Sequence, residues 1–206
     1  MLAKVESYYT EKLREHGATP RGVDWITPES QRLRFEQLAR LWGTEQAFSL
    51  NDLGCGYGAL VDYLRERGLR VEYTGTDLSD AMLAAARRLH DGEPGCRFTR
   101  GGAPPAPADY SLASGVFNVR LDVGLAEWER YVTENIDALA AQSRKGFAFN
   151  ALTTHCDAER RRADLYYADP LALFDYCRRR HSRRVALLHD YPLWEFTVVV
   201  KLDGAR

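Results

Sequence analysis

Two stretches before residue 44 place apolar side chains at helical spacing. Segment Val5–Leu13 carries aliphatic and aromatic residues on one face of a predicted helix, and segment Gly17–Pro20 interrupts that pattern. A second helix is predicted over Pro28–Trp42, with Thr27 as its N-cap. Residues 1–43 are therefore expected to form a helical N-terminal segment.

Beyond residue 44, short apolar runs alternate with amphipathic segments. The short runs predict strands at 47–53, 70–76, 96–99, 110–114, 146–152, 184–188 and 195–202. The amphipathic segments predict helices at 59–67, 80–89, 125–143 and 171–180. Strands that alternate with helices are typical of a doubly wound, mostly parallel sheet.

The last two predicted strands are joined by only six residues, 189–194. A parallel crossover needs a dozen residues or more, so the final strand must run antiparallel to the strand before it. The predicted fold class is α/β, with a doubly wound, mostly parallel seven-stranded sheet and an antiparallel C-terminal hairpin strand. The length of 206 residues suits a single domain, 1–206, in which 44–206 form the α/β core.

Composition and charge narrow the class of protein. The chain is 45% hydrophobic, and its 28 basic residues nearly balance 29 acidic ones, for a net charge of −1. This composition excludes a disordered chain, and the balanced charge argues against nucleic-acid and membrane partners. The four cysteines are scattered, and no apolar run is long enough to cross a bilayer. A cytoplasmic protein is expected.

The most informative motif is DLGCGYG at residues 52–58, between a predicted strand and a predicted helix. Its three glycines allow a tight turn and let a ligand approach the helix N-terminus. Asp77, after the next predicted strand, is suited to a ribose diol.

Two ligands remain open for this loop. Gly54, Gly56 and Ala59 satisfy the G-x-G-x-x-G/A pattern of dinucleotide sites, which would make the protein an NAD(P)-dependent oxidoreductase. Asp52 argues against that alternative, because a carboxylate there would repel a pyrophosphate but attract an ammonium or sulfonium group. Asp77 is expected in both cases and does not discriminate.

The loop, Asp77 and the closing hairpin together resemble the class I S-adenosylmethionine-dependent methyltransferases over about residues 48–202. The resemblance implies S-adenosyl-L-methionine as cofactor, with Asp52 near its ammonium group and Asp77 on both ribose hydroxyls. The cofactor-binding residues that it implies in the core are Asp52, Gly54, Gly56, Gly58, Asp77, Leu78, Met82, Ser114 and Gly115.

The chain departs from the family after the third predicted strand. Many members carry an acid there, near the adenine amino group, whereas this chain has Arg100-Gly101-Gly102-Ala103. Either a backbone carbonyl takes the place of the acid or the loop closes differently. Segment Ser114–Asn118 also lacks the (N/D)PP(Y/F) signature, which weakens the case for a nucleobase or protein-amide acceptor.

Candidate residues for catalysis and acceptor binding follow the later strands. His155 and Asp157 after the fifth strand, and His189 after the sixth, are candidate general bases, although a solvated loop explains them as well. Asn118, Tyr166 and Tyr167 are candidate substrate-binding residues, with local capping and core packing as the alternatives. No Asp/His cluster has the spacing of a metal site.

Two further features concern the N-terminal segment and the arginines. Similar N-terminal segments form a lid in small methyltransferases, so the resemblance implies that residues 1–43 are a lid. Gln31 and Arg34, three apart on one predicted helix, are then candidates to hold the cofactor carboxylate. Arginine clusters at 160–162 and 178–184 are either solvated or a docking site for an anionic partner. We therefore expect a methyltransferase that acts on an oxygen or nitrogen of a small molecule. If an arginine cluster is a docking site, this acceptor is expected to be anionic. The alternatives are the oxidoreductase and a non-catalytic subunit that binds S-adenosylmethionine.

Overall fold

A computed structural model describes residues 2–202, so Met1 and residues 203–206 of the predicted domain lie outside the described residues. The strands are β1 Ala47–Leu53, β2 Arg70–Asp77, β3 Cys96–Arg100, β4 Ala108–Ala113, β5 Ser143–Leu152, β6 Arg184–Leu188 and β7 Glu195–Lys201. The helices are α1 Leu2–His16, α2 Pro28–Leu38, α3 Ala59–Glu66, α4 Asp80–Leu89, α5 Leu125–Ala141 and α6 Pro170–Arg180.

The strands form one sheet in the order β3-β2-β1-β4-β5-β7-β6. Strands β1 to β5 pair in parallel, while β7 pairs antiparallel with both β5 and β6. The predicted fold class and the antiparallel final strand are therefore confirmed. The final strand inserts between β5 and β6, which places β6 at the edge of the sheet.

Side-chain caps define three of the helix starts that the sequence indicates. Thr27 and Ser30 form a reciprocal capping box at the start of α2. The Ser79 hydroxyl accepts a hydrogen bond from the Met82 N–H, and Asp169 caps α6 in the same way. Each cap satisfies N–H groups that the first turn of a helix leaves without partners.

The boundaries around β5 differ from the expectation. Helix α5 ends at Ala141 and β5 begins at Ser143, whereas the sequence predicts a helix to 143 and a strand from Gly146. The Ser143 hydroxyl donates to the Leu139 carbonyl at 2.6 Å and closes the last turn of the helix. Helix α2 also ends early, at Leu38, and continues as a 3-10 turn over Ala39–Leu41.

Two apolar layers cover the faces of the sheet. One layer joins α5 and α6 to the sheet around Trp128, Ile136 and Phe149. The other joins α2 and α3 to the opposite face around Leu38 and Leu64. Helix α1 adds Val5 and Tyr9 to the edge of the first layer, so the N-terminal segment packs on the core. Among the described residues, none of the helices combines the length and apolar character that a membrane span requires.

A buried ion pair ties the N-terminal segment to the C-terminal strand. The Arg34 Nε on α2 donates to Glu195 Oε2 on β7 at 2.9 Å, and both side chains are buried. Burial raises the pKa of Glu195 to about 7, against the opposing influence of Arg34. The loss of one partner would leave an uncompensated buried charge, which is far more costly than the loss of an exposed pair.

We expect Glu195→Gln to lower the free energy of unfolding by about 3 kcal/mol at pH 8, where the native pair is ionised. The matched control is Asp175→Asn, which breaks the exposed pair with Arg179 on α6 and should cost less than about 1 kcal/mol. Urea unfolding measures both values. Equal losses of unfolding free energy in the two variants would contradict the larger contribution expected of the buried pair.

Candidate active site

A cleft opens at the carboxyl ends of β1, β2 and β4 and is roofed by the N-terminal segment. It contains about 940 Å³ of space, including the part open to solvent. Its floor is formed by the loop after β1, by Asp77 and Leu78 after β2, and by Ser114–Val116 after β4. In open α/β sheets, ligands bind outside the carboxyl ends of the strands, and this cleft has that position.

The glycine loop turns sharply under the cleft. Gly54, Gly56 and Gly58 have φ values of +73°, +54° and +84°, which side chains rarely adopt. The N–H groups of Gly54 and Cys55 both donate to the Thr76 carbonyl, which fixes the loop to the end of β2. A Cβ at Gly54 would lie 2.5 Å from Val116 Cγ2, so the loop is also closely packed against the segment after β4.

Asp77 is held in place by backbone donors. Its Oδ2 accepts from the Gly56 N–H at 2.9 Å, and its Oδ1 accepts from the Ser79 N–H at 2.8 Å. Burial raises the pKa of Asp77, and the backbone hydrogen bonds oppose that increase. Each carboxylate oxygen keeps a further lone pair, so the group can accept two more hydrogen bonds from a diol in the cleft.

Asp52 lies at the end of β1 on the floor of the same cleft. Its Oδ2 accepts a hydrogen bond from the Tyr73 hydroxyl at 2.6 Å, and its side chain is buried. Burial raises the pKa of Asp52 to about 7, and the charge of Asp77 adds to the increase. A cation placed beside Asp52 would compensate both effects.

The roof is made by the connection between α1 and α2. Val23 Cγ1 would lie 2.9 Å from a Cβ at Gly56, and the Trp25 ring lies 2.4 Å from the position of a Cβ at Gly115. The Arg34 guanidinium stacks on the other side of the Trp25 ring, 3.8 Å from its centroid. The buried ion pair with Glu195 therefore holds Trp25 against the segment after β4.

The residues that the resemblance implies for the cofactor converge here in large part. Those that line the cleft are Asp52, Gly54, Gly56, Asp77, Leu78, Met82, Ser114, Gly115 and Gln31. Gly58 is the N-cap of α3 and packs near His90 instead. The Gln31 Oε1 accepts from the Tyr57 hydroxyl at 3.1 Å. Their contacts with the cofactor remain predictions.

Arg34 does not reach the cleft lining, in contrast to the expectation. Its Nε binds Glu195, and its Nη1 donates to the Ser30 carbonyl at 2.8 Å. These partners use the guanidinium inside the protein, so it is not placed to hold a cofactor carboxylate. Sequence spacing put Gln31 and Arg34 on one helix face but could not reveal Glu195 as a partner 161 positions away.

The candidate bases lie together but outside the cleft lining. The rings of His155 and His189 are 5.7 Å apart, and burial together with the neighbouring His155 lowers the pKa of His189. Asp157 is exposed and pairs with Arg160. For His189 the reason is topological: β7 lies between β5 and β6, so the end of β6 is three positions from β4 in the sheet.

The three candidate substrate residues have structural contacts instead of a place in the cleft lining. The Asn118 Oδ1 accepts from the Leu152 N–H, and the Asn118 carbonyl accepts from the Tyr166 N–H. The Tyr166 ring is buried in the core beside α5. The Tyr167 hydroxyl accepts from the Arg162 N–H. For these residues the structure favours the alternatives of capping and packing.

Several residues of the cleft were not predicted as site residues. Glu6 and Tyr9 come from α1, Tyr131 from α5, and Val23 from the roof. Tyr131 lies three positions after Trp128, beside the apolar stripe of α5, which was the available signal. Within residues 2–202, no group of three or more His, Cys, Asp or Glu side chains is arranged to hold a metal ion.

Comparison with known proteins identifies the class. A family described as a methyltransferase domain matches residues 51–134. The chain is 51% identical over 162 residues to a Mycobacterium tuberculosis protein described as "Putative methyltransferase Rv1506c". The matched region covers 79% of this chain and 98% of that protein. The chain therefore belongs to the class I S-adenosylmethionine-dependent methyltransferases.

Solved structures agree with this fold. Magnesium protoporphyrin IX methyltransferase (ChlM) from Synechocystis, with bound S-adenosylhomocysteine, superimposes with a TM-score of 0.70 at 13% identity, covering 98% of this chain and 100% of that one. The DhpI-SAM-HEP complex gives a TM-score of 0.66 at 18% identity, with 97% of each chain covered.

The protein is thus an enzyme that uses S-adenosylmethionine as methyl donor, and the dinucleotide-dependent oxidoreductase is the wrong alternative. The residues of the cleft suit this cofactor. The glycine turn leaves room for a ligand close to the backbone, and the buried Asp52 and the partly buried Asp77 are carboxylates of the kind that accept from an ammonium group and from a diol.

The raised pKa of Asp52 predicts how the stability of the ligand-free protein depends on pH. The native state holds the Asp52 proton more tightly than the unfolded chain, so this group stabilises the fold below pH 4 and the contribution is lost as the pH rises to about 7. Relative to Asp52→Asn, the wild type should lose roughly 2 kcal/mol between pH 5 and pH 8. Urea unfolding of both proteins at the two pH values measures this difference. A constant difference across this range would show that Asp52 is ionised throughout.

Proposed function

We propose that this enzyme transfers a methyl group to an oxygen or nitrogen of a small molecule that carries no negative charge. The observation that carries this proposal is a pair of tyrosines, Tyr9 on α1 and Tyr131 on α5, that line the cleft. Within the described residues, neither hydroxyl has a protein hydrogen-bond partner, and neither is sealed from solvent. Two unused polar groups in a cleft walled by aromatic side chains are typical of a small-molecule site.

The proposed placement of the cofactor runs along the floor of the cleft. Asp52 holds the ammonium group, Asp77 holds the ribose diol, and Leu78 and Met82 flank the adenine. The Gln31 amide is the donor from the roof for the cofactor carboxylate. When bound, S-adenosylmethionine supplies an electrophilic methyl group to an acceptor lone pair that is aligned with the breaking carbon–sulfur bond.

The acceptor lies between α1 and the segment after β4 in this proposal. The ring of Tyr131 packs against Phe117 and Trp128, with centroids 6.5 and 4.9 Å apart, which places Tyr131 on the β4 side of the cleft. Burial raises the pKa of Tyr131 to about 12 and raises that of Tyr9 as well, so both hydroxyls are protonated at neutral pH. They orient the acceptor as hydrogen-bond donors and do not act as bases.

Orientation and exclusion of water account for much of the catalysis that such a site can offer. Val23 and Trp25 of the roof lie over Gly56 and Gly115 and keep water from the floor of the cleft in this proposal. The N-terminal segment, residues 1–43, acts as a lid in this proposal, and the ion pair between Arg34 and Glu195 fixes its second half on the core.

The charges around the cleft disfavour an anionic acceptor. In the described part of the chain, the charged side chains that line the cleft are all carboxylates: Glu6, Asp52 and Asp77. The arginine clusters lie elsewhere, and several of their members pair with Asp157, Asp164, Asp175 and Asp137. An anion in the cleft would therefore meet like charges, and such a juxtaposition costs several kcal/mol.

The acceptor class can be tested with S-adenosylmethionine labelled on its methyl group. A metabolite extract of the source cells is separated by ion exchange into anionic and non-anionic fractions, and each is incubated with the enzyme. Label is expected in a product of the non-anionic fraction. Tyr9→Phe and Tyr131→Phe should each lower its incorporation about tenfold or more, the scale of a lost hydrogen bond to a reacting group.

The matched control is Tyr63→Phe, which removes a buried hydroxyl that has no hydrogen-bond partner among the described residues and lies outside the cleft lining. Label only in the anionic fraction would contradict the charge argument. Label in purified RNA or protein and in neither fraction would contradict the small-molecule proposal.

We expect Asp77→Asn to weaken binding of S-adenosylhomocysteine about tenfold to hundredfold, because an amide replaces a charged acceptor of two hydroxyl hydrogen bonds. Isothermal titration calorimetry measures this, and urea unfolding checks the fold of the variant. The control is Asp80→Asn, an exposed carboxylate three positions further on that does not line the cleft. Near-normal affinity in Asp77→Asn would place the ribose elsewhere.

A further inference from the structure

Helix α1 carries a carboxylate to the part of the cleft where the chain lacks an acid after β3. Glu6 lines the cleft, and its Oε1 accepts from Arg100 Nη2 at 3.1 Å. Arg100 is the last residue of β3, and Gly101 and Gly102 directly after it line the cleft too. Glu6 therefore reaches the edge of β3 from 94 positions earlier in the chain.

Helix α1 is fixed in this position by contacts along its length. Leu2 Cδ1 lies 3.9 Å from the position that a Cβ at Gly102 would occupy. The Thr10 and Ser79 hydroxyls are hydrogen-bonded at 2.8 Å, which joins α1 to the start of α4. The start of α1 and the loop after β3 are therefore in van der Waals contact.

One oxygen of the Glu6 carboxylate is available to a ligand. Arg100 binds Oε1 and also donates from Nε to the Leu78 carbonyl at 3.1 Å, so it links Glu6 to the apolar wall after β2. Among the described residues, Glu6 Oε2 has no hydrogen-bond partner, and the side chain is 31% exposed. The charge of Glu6 contributes to the raised pKa of Asp77, which places the two carboxylates near each other.

We propose that Glu6 of α1 binds the exocyclic amino group of the cofactor's adenine and so makes this site specific for a 6-aminopurine. The inference rests on the proposed placement of the cofactor. With the ribose on Asp77 and the ammonium group on Asp52, the base extends toward Leu78, Gly101 and Gly102. Glu6 is the carboxylate at that end of the cleft, and it can accept a hydrogen bond from an N–H donor but not from a carbonyl.

The assignment gives α1 a second role. Glu6 and Tyr9 are three positions apart and both line the cleft, so one helix face contacts the base and the proposed acceptor site. Binding of the base to Glu6 then further stabilises α1, which forms one side of the proposed acceptor site. The cofactor should bind before the acceptor.

The test compares two ligands that differ at one edge of the base: S-adenosylhomocysteine, with a 6-amino group and an unprotonated N1, and S-inosylhomocysteine, with a 6-carbonyl oxygen and an N1–H. The wild type should bind the amino compound about tenfold to hundredfold more tightly, the range expected for a hydrogen bond to a charged group. In Glu6→Gln this ratio should fall to near one, because the amide accepts from the amino group and donates to the carbonyl. Calorimetric titration gives all four dissociation constants.

Glu15→Gln, an exposed carboxylate of the same helix that pairs with His16, is the control and should keep the wild-type ratio. Amide hydrogen exchange supplies a second readout: S-adenosylhomocysteine should protect α1 more strongly than S-inosylhomocysteine does. An unchanged ratio in Glu6→Gln would overturn the assignment and leave the proposed function intact. Failure of the wild type to bind either compound would overturn the cofactor placement itself.

Discussion

A buried carboxylate and a partly buried one, on neighbouring strands, are the constraint on which the site depends. Asp52 and Asp77 end neighbouring parallel strands, and burial raises the pKa of both. Backbone N–H groups and one tyrosine hydroxyl compensate part of the cost of burying them, and the rest is left for a ligand. In the proposed placement, the ammonium group and the diol of S-adenosylmethionine supply that compensation, whereas a pyrophosphate would add like charge.

The N-terminal segment completes what the α/β core leaves open. The loop after β3 contains two glycines and no helix of its own, and α1 packs against it and brings Glu6 and Tyr9 into the cleft. Trp25 covers Gly115 and is held there by Arg34, whose partner Glu195 belongs to the last strand. The site is therefore assembled from both ends of the chain, and its stability and its chemistry share the same contacts.

The charged residues of the cleft bear on whether the acceptor is anionic, a question that the composition leaves open. Arginine clusters at 160–162 and 178–184 suggested an anionic partner, but the structure pairs several of them with aspartates that do not line the cleft. The cleft itself has carboxylates as its charged lining. Local sequence shows that basic residues are clustered, but whether they face a ligand or an adjacent carboxylate depends on packing.

The sequence by itself determined the order of strands and helices, the antiparallel end of the sheet and the glycine loop with Asp52 and Asp77. These features depend on local patterns, on helix caps such as Thr27 and Ser79, and on connections too short for any other topology. Only the tertiary structure decided that Arg34 pairs with Glu195, that His155 and His189 lie outside the cleft lining, and that Glu6 reaches the end of β3. Each of these contacts joins residues distant in the chain, and their geometry is set by how the helices pack on the sheet.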